Sequence, residues 1–205
     1  MVSSMFNTFK KVVVGLVAAV SLLTANGIAY AQDFSKTAVV YFSTRHNTPN
    51  FNPSKPGAVE LIANEIGAQT GVPVLELKSA DLYGETYDDT AAIARKQLEN
   101  HDLPPLKEPV DIAQYDTIIL GFPIWFGSFP RVVATWLGSQ DFTGKKVYVF
   151  VTYGSSGWAQ SFDDVLAALP DSEVNKLLDK KGREVQQMSK AKLTEFVQEG
   201  LGKLD

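Results

Sequence analysis

Two hydrophobic rhythms alternate along the chain. The runs 37–42 (TAVVYF), 72–77 (VPVLEL), 117–122 (TIILGF) and 146–152 (KVYVFVT) are short, rich in β-branched and aromatic residues, and bounded by turn residues. Near-continuous apolar runs of this length predict strands buried on both faces of a parallel sheet. Between them, apolar residues recur every three or four positions, the spacing of one helix face. Val59, Ile62, Ala63 and Ile66 set such a stripe over 58–69, Val132, Val133, Trp136 and Leu137 over 131–139, and Phe162, Val165, Leu166 and Leu169 over 161–169. Further helices are predicted over 90–99 and 189–204. A fifth strand over 173–178 is less regular because it contains Asn175 and Lys176. Alternating strands and helices predict an α/β fold, a parallel sheet with helices on both faces joined by right-handed crossovers. No internal repeat or low-complexity linker interrupts the pattern, so one domain is expected.

In sheets of this kind the ligand sits beyond the C-terminal ends of the strands, where the strand order reverses. The loops after the first, third and fourth strands read STRHNTPNFNPSKPG (43–57), GFPIWFGSFP (121–130) and TYGSSGWAQS (152–161). The first offers hydroxyls, an amide and two potentially cationic groups in Ser43, Thr44, Arg45, His46, Asn47 and Thr48. Beside a helix N-terminus these suit a phosphate; a polar surface loop is the plain alternative. The second has a planar apolar wall in Trp125 and Phe126, stiffened by Pro123 and Pro130, with Gly121 and Gly127 allowing close approach. Such a wall suits a flat heterocycle, and a hydrophobic plug or dimer patch is its alternative. The third, Gly154-Ser155-Ser156-Gly157, can present N–H donors to a ring edge or serve as an ordinary turn.

The N-terminus changes the compartment. Lys10 and Lys11 precede an apolar run over 12–23, and Ala29-Tyr30-Ala31 follows it. This is the layout of a secretory signal, and the run is short for a membrane span of ~20 residues. The expected domains are therefore a signal peptide over 1–31, cleaved near Ala31, and one domain over 32–205, exported to the periplasm or secreted. An uncleaved N-terminal anchor is the other reading. Cleavage of 31 from the 205 residues leaves 174, enough for a substantial core. It also removes two lysines and no acid, taking the net charge from −4 to −6. That balance argues against a nucleic-acid partner. The absence of cysteine excludes disulfides, a thiol nucleophile and a Cys metal site.

Other chemistries lack their residues. No G-x-S-x-G elbow, Walker loop or G-x-G-x-x-G is present, and the two histidines, His46 and His101, stand far apart in sequence. No metal is expected. The pairs Asp88-Asp89 and Asp163-Asp164 suit the first turns of helices, where negative charge meets the positive dipole end. A phosphoacceptor receiver would need an acid ending the first strand, where this chain has Phe42-Ser43.

The segments VVYFSTRHNT (39–48), YDTIILGFPIWFGSFPRVVATWL (115–137) and VTYGSSGWAQSFDDV (151–165) resemble flavodoxin-like proteins, in particular the branch whose second loop reads Pro-Ile-Trp-Trp-Gly. The stretch ADLYGETYDDTAAIARKQLENHDLPPL (80–106) is similar to the same branch. The resemblance implies a doubly wound sheet of five parallel strands in the order 2-1-3-4-5 and a noncovalent FMN at the switch point. It implies a phosphate site around Ser43. It also implies that Pro123, Ile124, Trp125, Phe126 and Gly127 line one side of the isoalloxazine, with Thr152, Tyr153, Gly154, Ser155 and Gly157 at the other edge. Gly127 is the candidate for a peptide that can take either orientation beside the ring.

Two departures stand out. Phe126 replaces the family's second Trp, and His46 stands where the phosphate loop has Gly, with Pro49, Pro53 and Pro56 delaying the next helix. Two registers are open. In one, Asn47 and Thr48 hold the phosphate; in the other, Ser43, Thr44 and Arg45 share it with the helix start at Gly57 and Ala58, which the helix dipole favours. The expected function is FMN-dependent electron transfer or reduction of a small acceptor such as a quinone, by a monomer or homodimer with a small-molecule or protein redox partner. A flavodoxin-fold binding protein that has lost the flavin is the alternative. No side chain is expected to act as acid, base or nucleophile.

Overall fold

The computed structural model describes residues 20–22, 30–44, 56–81 and 83–204. Two short strands, β1 (Val20–Leu22) and β2 (Tyr30–Gln32), pair antiparallel in a sheet of their own. The main sheet is built from β3 (Thr37–Tyr41), β4 (Val74–Glu76), β5 (Thr117–Pro123), β6 (Lys146–Tyr153) and β7 (Glu173–Lys181). All its pairings are parallel, in the spatial order β4-β3-β5-β6-β7. Counted within this sheet the order is 2-1-3-4-5, as the resemblance implied.

Strand alternation divides the core. Ala38, Val40, Ile118, Leu120 and Val149 point to one face, where they meet α3 (Arg131–Leu137) and α4 (Ser161–Ala168). Val39, Tyr41, Ile119, Tyr148 and Phe150 point to the other, covered by α1 (Ala58–Thr70), α5 (Gly182–Gln187) and α6 (Lys190–Leu201). Residues of β3, β5 and β6 therefore bury their side chains whichever face they point to, which explains their near-continuous apolar runs.

The remaining helix, α2 (Tyr87–Glu99), begins three residues before the predicted start. Thr86 Oγ1 accepts the Asp89 N–H at 3.1 Å, an N-cap that fixes the boundary. α5 was not expected; its six residues follow β7 without a break. β7 extends beyond its predicted end, and its half-exposed edge position accommodates Asn175 and Lys176. Among the described residues no helix is long and apolar enough to cross a membrane.

Candidate functional site

The switch point lies between β3 and β5: from β3 the chain moves outward to the edge strand β4, then crosses back over β3 to β5 and continues in the other direction. The Phe42 N–H donates to the Gly121 carbonyl at 2.9 Å, tying the first loop to β5 as it leaves the sheet. Ser43 and Thr44 are half-buried there, and the buried Ser43 Oγ has no hydrogen-bond partner among the described residues. The start of α1 packs directly on it. A Cβ added at Gly57 would lie 2.2 Å from Ser43 Oγ and 2.7 Å from the Thr44 carbonyl oxygen, so only glycine permits this approach. Ser43, Thr44, Gly57 and Ala58 are thus brought together, whereas Arg45, Asn47 and Thr48, with His46, lie outside the described residues. One further carboxylate enters this site: Glu60 Oε2 accepts the Gly57 N–H at 3.2 Å.

The second loop is a tight hairpin. Trp125 and Ser128 exchange both backbone hydrogen bonds, at 2.9 and 3.1 Å, around Phe126 (φ 50°) and Gly127 (φ 88°). Positive φ at both central residues is the type I′ geometry, whose usual first residue is Asn, Asp or Gly. A phenylalanine there carries a strain of ~1–2 kcal/mol and leaves its ring 43% exposed. Trp125 turns inward instead. Its ring meets Phe42 at 5.5 Å and Tyr83 at 5.0 Å, both edge-on, and the latter two meet at 5.6 Å. Burial pushes the Tyr83 hydroxyl up to about 12, keeping it protonated, with its oxygen 3.1 Å from Gln97 Oε1 as donor.

The third loop is bound to the second. Ile124 N–H donates to the Thr152 carbonyl at 2.7 Å, and Gln160 N–H to the Gly127 carbonyl at 3.0 Å. A cavity of about 300 Å³ opens between them, lined by Ile124, Trp125, Phe126 and Gly127 on one side and Gly154, Ser155 and Ser156 on the other. This is at the small end of the ~300–1,000 Å³ range of small-molecule sites. Pro123 and Thr152 are buried in paired strands beneath it, and Gly157 stands outside the lining. Tyr153 directs its hydroxyl to Asp179 Oδ2 at 2.9 Å; burial and this bond raise its pKa.

The last wall was not identified in the sequence. Tyr87, Thr90, Ala91 and Ala94 of α2 close the cavity. Their i, i+3, i+4, i+7 spacing is one helical face, and the small side chains leave room. That stripe was the available signal. Which surface it faces depends on how α2 packs. A second, shallower hollow of about 310 Å³ lies around Ser43 and Thr44, with Lys78 and Lys107 on its rim. Phe42 and Tyr83 line this hollow while Trp125 lines the first, so the aromatic trio forms the partition between them.

The chain is similar in fold to a putative flavoprotein from Bacteroides uniformis, with 25% identity and a TM-score of 0.62 over 79% of this chain and 97% of that one. A putative flavoprotein from Bacteroides eggerthii shares 20% identity with a TM-score of 0.57, covering 78% and 97% of the two chains. A flavoprotein from Lactobacillus acidophilus, solved in complex with FMN, shares 20% identity with a TM-score of 0.54, covering 76% and 99%. No curated protein matches at a significant level. The family model for flavodoxin matches residues 36–199, and with the strand order and switch-point loops in agreement, the chain belongs to the flavodoxin family.

Proposed function

We propose that the protein is an exported FMN-binding redox protein, serving electron transfer or the reduction of a small acceptor such as a quinone. The observation that carries the reading is the cavity itself: walled by Trp125, Phe126, Gly127 and the Gly154-Ser155-Ser156 segment, without a charged group among the described residues that line it, and placed at the switch point beside a buried hydroxyl that has no partner among the described residues. The residues fit the cofactor. Ser43 Oγ with the first amides of α1 suits a phosphate, since those amides have no partner within the helix. Trp125, fixed by Phe42 and Tyr83, offers an apolar wall to a ring system, and Gly154 and Ser155 offer backbone groups to its edge. FMN, when bound, supplies the one- and two-electron chemistry; the chain's own task is to bind it, limit its contact with water and hold backbone donors near it.

Arg45, Asn47 and Thr48 belong to this proposal as further phosphate contacts, and Pro123, Thr152, Tyr153 and Gly157 as the frame behind the cavity lining. Export is supported by the lysines, apolar run and Ala29-Tyr30-Ala31 of the N-terminus, and by a family match that begins only at residue 36. Mass measurement of the secreted or periplasmic protein should return an N-terminus near Gln32; a product retaining Met1 would overturn cleavage. The binding-protein alternative has one specific support, the Glu60 carboxylate, which holds the Gly57 N–H where a phosphate would otherwise accept it.

An absorbance spectrum of the protein purified without residues 1–31 decides between the two. Bound-flavin peaks support the redox reading; a colourless protein that also fails to quench added FMN fluorescence sinks it. Trp125→Ala should then weaken FMN binding by about twofold to tenfold, the equivalent of one aromatic contact at ~0.5–1.5 kcal/mol. Unchanged affinity would place the tryptophan outside the site.

A further inference from the structure

We propose that Arg95 makes the cavity mouth selective for a planar aromatic acceptor carrying an acidic substituent, such as a quinone with a carboxylate or sulfonate group. The proposal deepens the redox reading and rests on it for the word acceptor; what it asserts is recognition of the anion.

None of the described residues lining the cavity carries a charge. Its mouth is aromatic, with Tyr87 39% and Phe126 43% exposed. The strained hairpin holds Phe126 outward, and the Arg95 guanidinium lies over that ring, 4.7 Å from its centroid. Arg95 is exposed, and among the described residues no carboxylate pairs with it. Of the acids of the same helix, Asp88 and Asp89 stand at its opposite end, where Asp89 Oδ2 accepts the Thr86 hydroxyl at 2.7 Å, and Glu99, one turn beyond Arg95, makes no ion pair with it.

Stacking on a ring leaves the in-plane N–H donors of a guanidinium available, and their fork matches a carboxylate or sulfonate edge. A flat ligand entering between Phe126 and Tyr87 would bring a ring substituent within reach of that fork. A neutral ligand of the same shape would gain only the aromatic contact, so among the described residues charge discrimination at this mouth falls to Arg95.

The test titrates anthraquinone-2-sulfonate and neutral 2-(hydroxymethyl)anthraquinone into purified protein, with binding measured by calorimetry. Wild type, Arg95→Met and Arg95→Lys are compared at low and high salt, and the FMN content of each sample is read from its absorbance. Wild type should prefer the sulfonate. Arg95→Met should weaken sulfonate binding about fivefold to tenfold and leave the neutral compound unchanged. Arg95→Lys should recover part of the loss, and high salt should shrink the difference. Equal binding of both compounds to wild type, no sulfonate binding, or equal losses for both in Arg95→Met would overturn the proposal. Flavin content scores the redox reading separately: a colourless protein that still discriminates through Arg95 would reject that reading and keep the anion site.

Discussion

Ser43 presents a buried oxygen with nothing to bond among the described residues. An unsatisfied buried polar group costs about 1–3 kcal/mol. In flavin-free protein Ser43→Ala should therefore be neutral or stabilising by up to about 1 kcal/mol, while FMN affinity falls. Denaturant melts and a fluorescence titration of the same samples check the opposite signs; a clear destabilisation would mean the hydroxyl has a partner. Gly57→Ala should act in the reverse sense on stability, because the added carbon falls within 2.2 Å of that oxygen. The expected cost is about 1–3 kcal/mol, as for other overpacked sites. Phe126 offers a third case. Phe126→Asn removes the left-handed strain and with it a cation–π contact worth ~0.5–1 kcal/mol, for a net stabilisation of up to about 1 kcal/mol. A variant both more stable and weaker in flavin binding would show that the strain is retained for the site.

Helices α1 and α6 are joined by a buried charge. The Glu65 side chain is 2% exposed and accepts hydrogen bonds from Lys190 Nζ, from Thr194 Oγ1 at 2.8 Å and from Gln69 Nε2 at 2.9 Å. Burial pushes its pKa up, but the bonds from Lys190, Gln69 and Thr194 outweigh that and hold it below the ordinary carboxylate range. A lowered folded pKa contributes stability above the unfolded pKa and loses it as pH falls through the folded value. Lys190→Met should cost about 1.5–3 kcal/mol near neutrality, the range for a hydrogen bond to a charged group. That cost should shrink as the solution is acidified below the ordinary glutamate range. A cost independent of pH would refute the role of the carboxylate. At this scale α2 is the instructive element: its apolar stripe predicts a start at Thr90, three residues late, while the Asp88-Asp89 pair already suits a helix's first turn, and the Thr86 cap sets the true boundary.

Over the whole molecule the two sheets are independent in their hydrogen bonding: β1 pairs only with β2, and the five-stranded sheet closes without them. A chain starting at Gln32 should unfold with the same midpoint as the full-length protein, a comparison that calorimetry provides. The sequence by itself determined the alternation of elements, because strands buried on both faces and one-faced helices leave different periodicities. It also located the three loops where composition is least ordinary, since turn, stacking and hydroxyl residues carry local signatures. Tertiary structure decided which groups meet. Gly57 reaches Ser43 across a proline-rich segment, Trp125 turns in while Phe126 turns out, and the small-residue face of α2 becomes a wall, with Arg95 of the same helix lying over Phe126. Each of these joins residues distant in sequence or chooses between two directions at one turn, and such choices are fixed by sheet order and packing rather than by local preference.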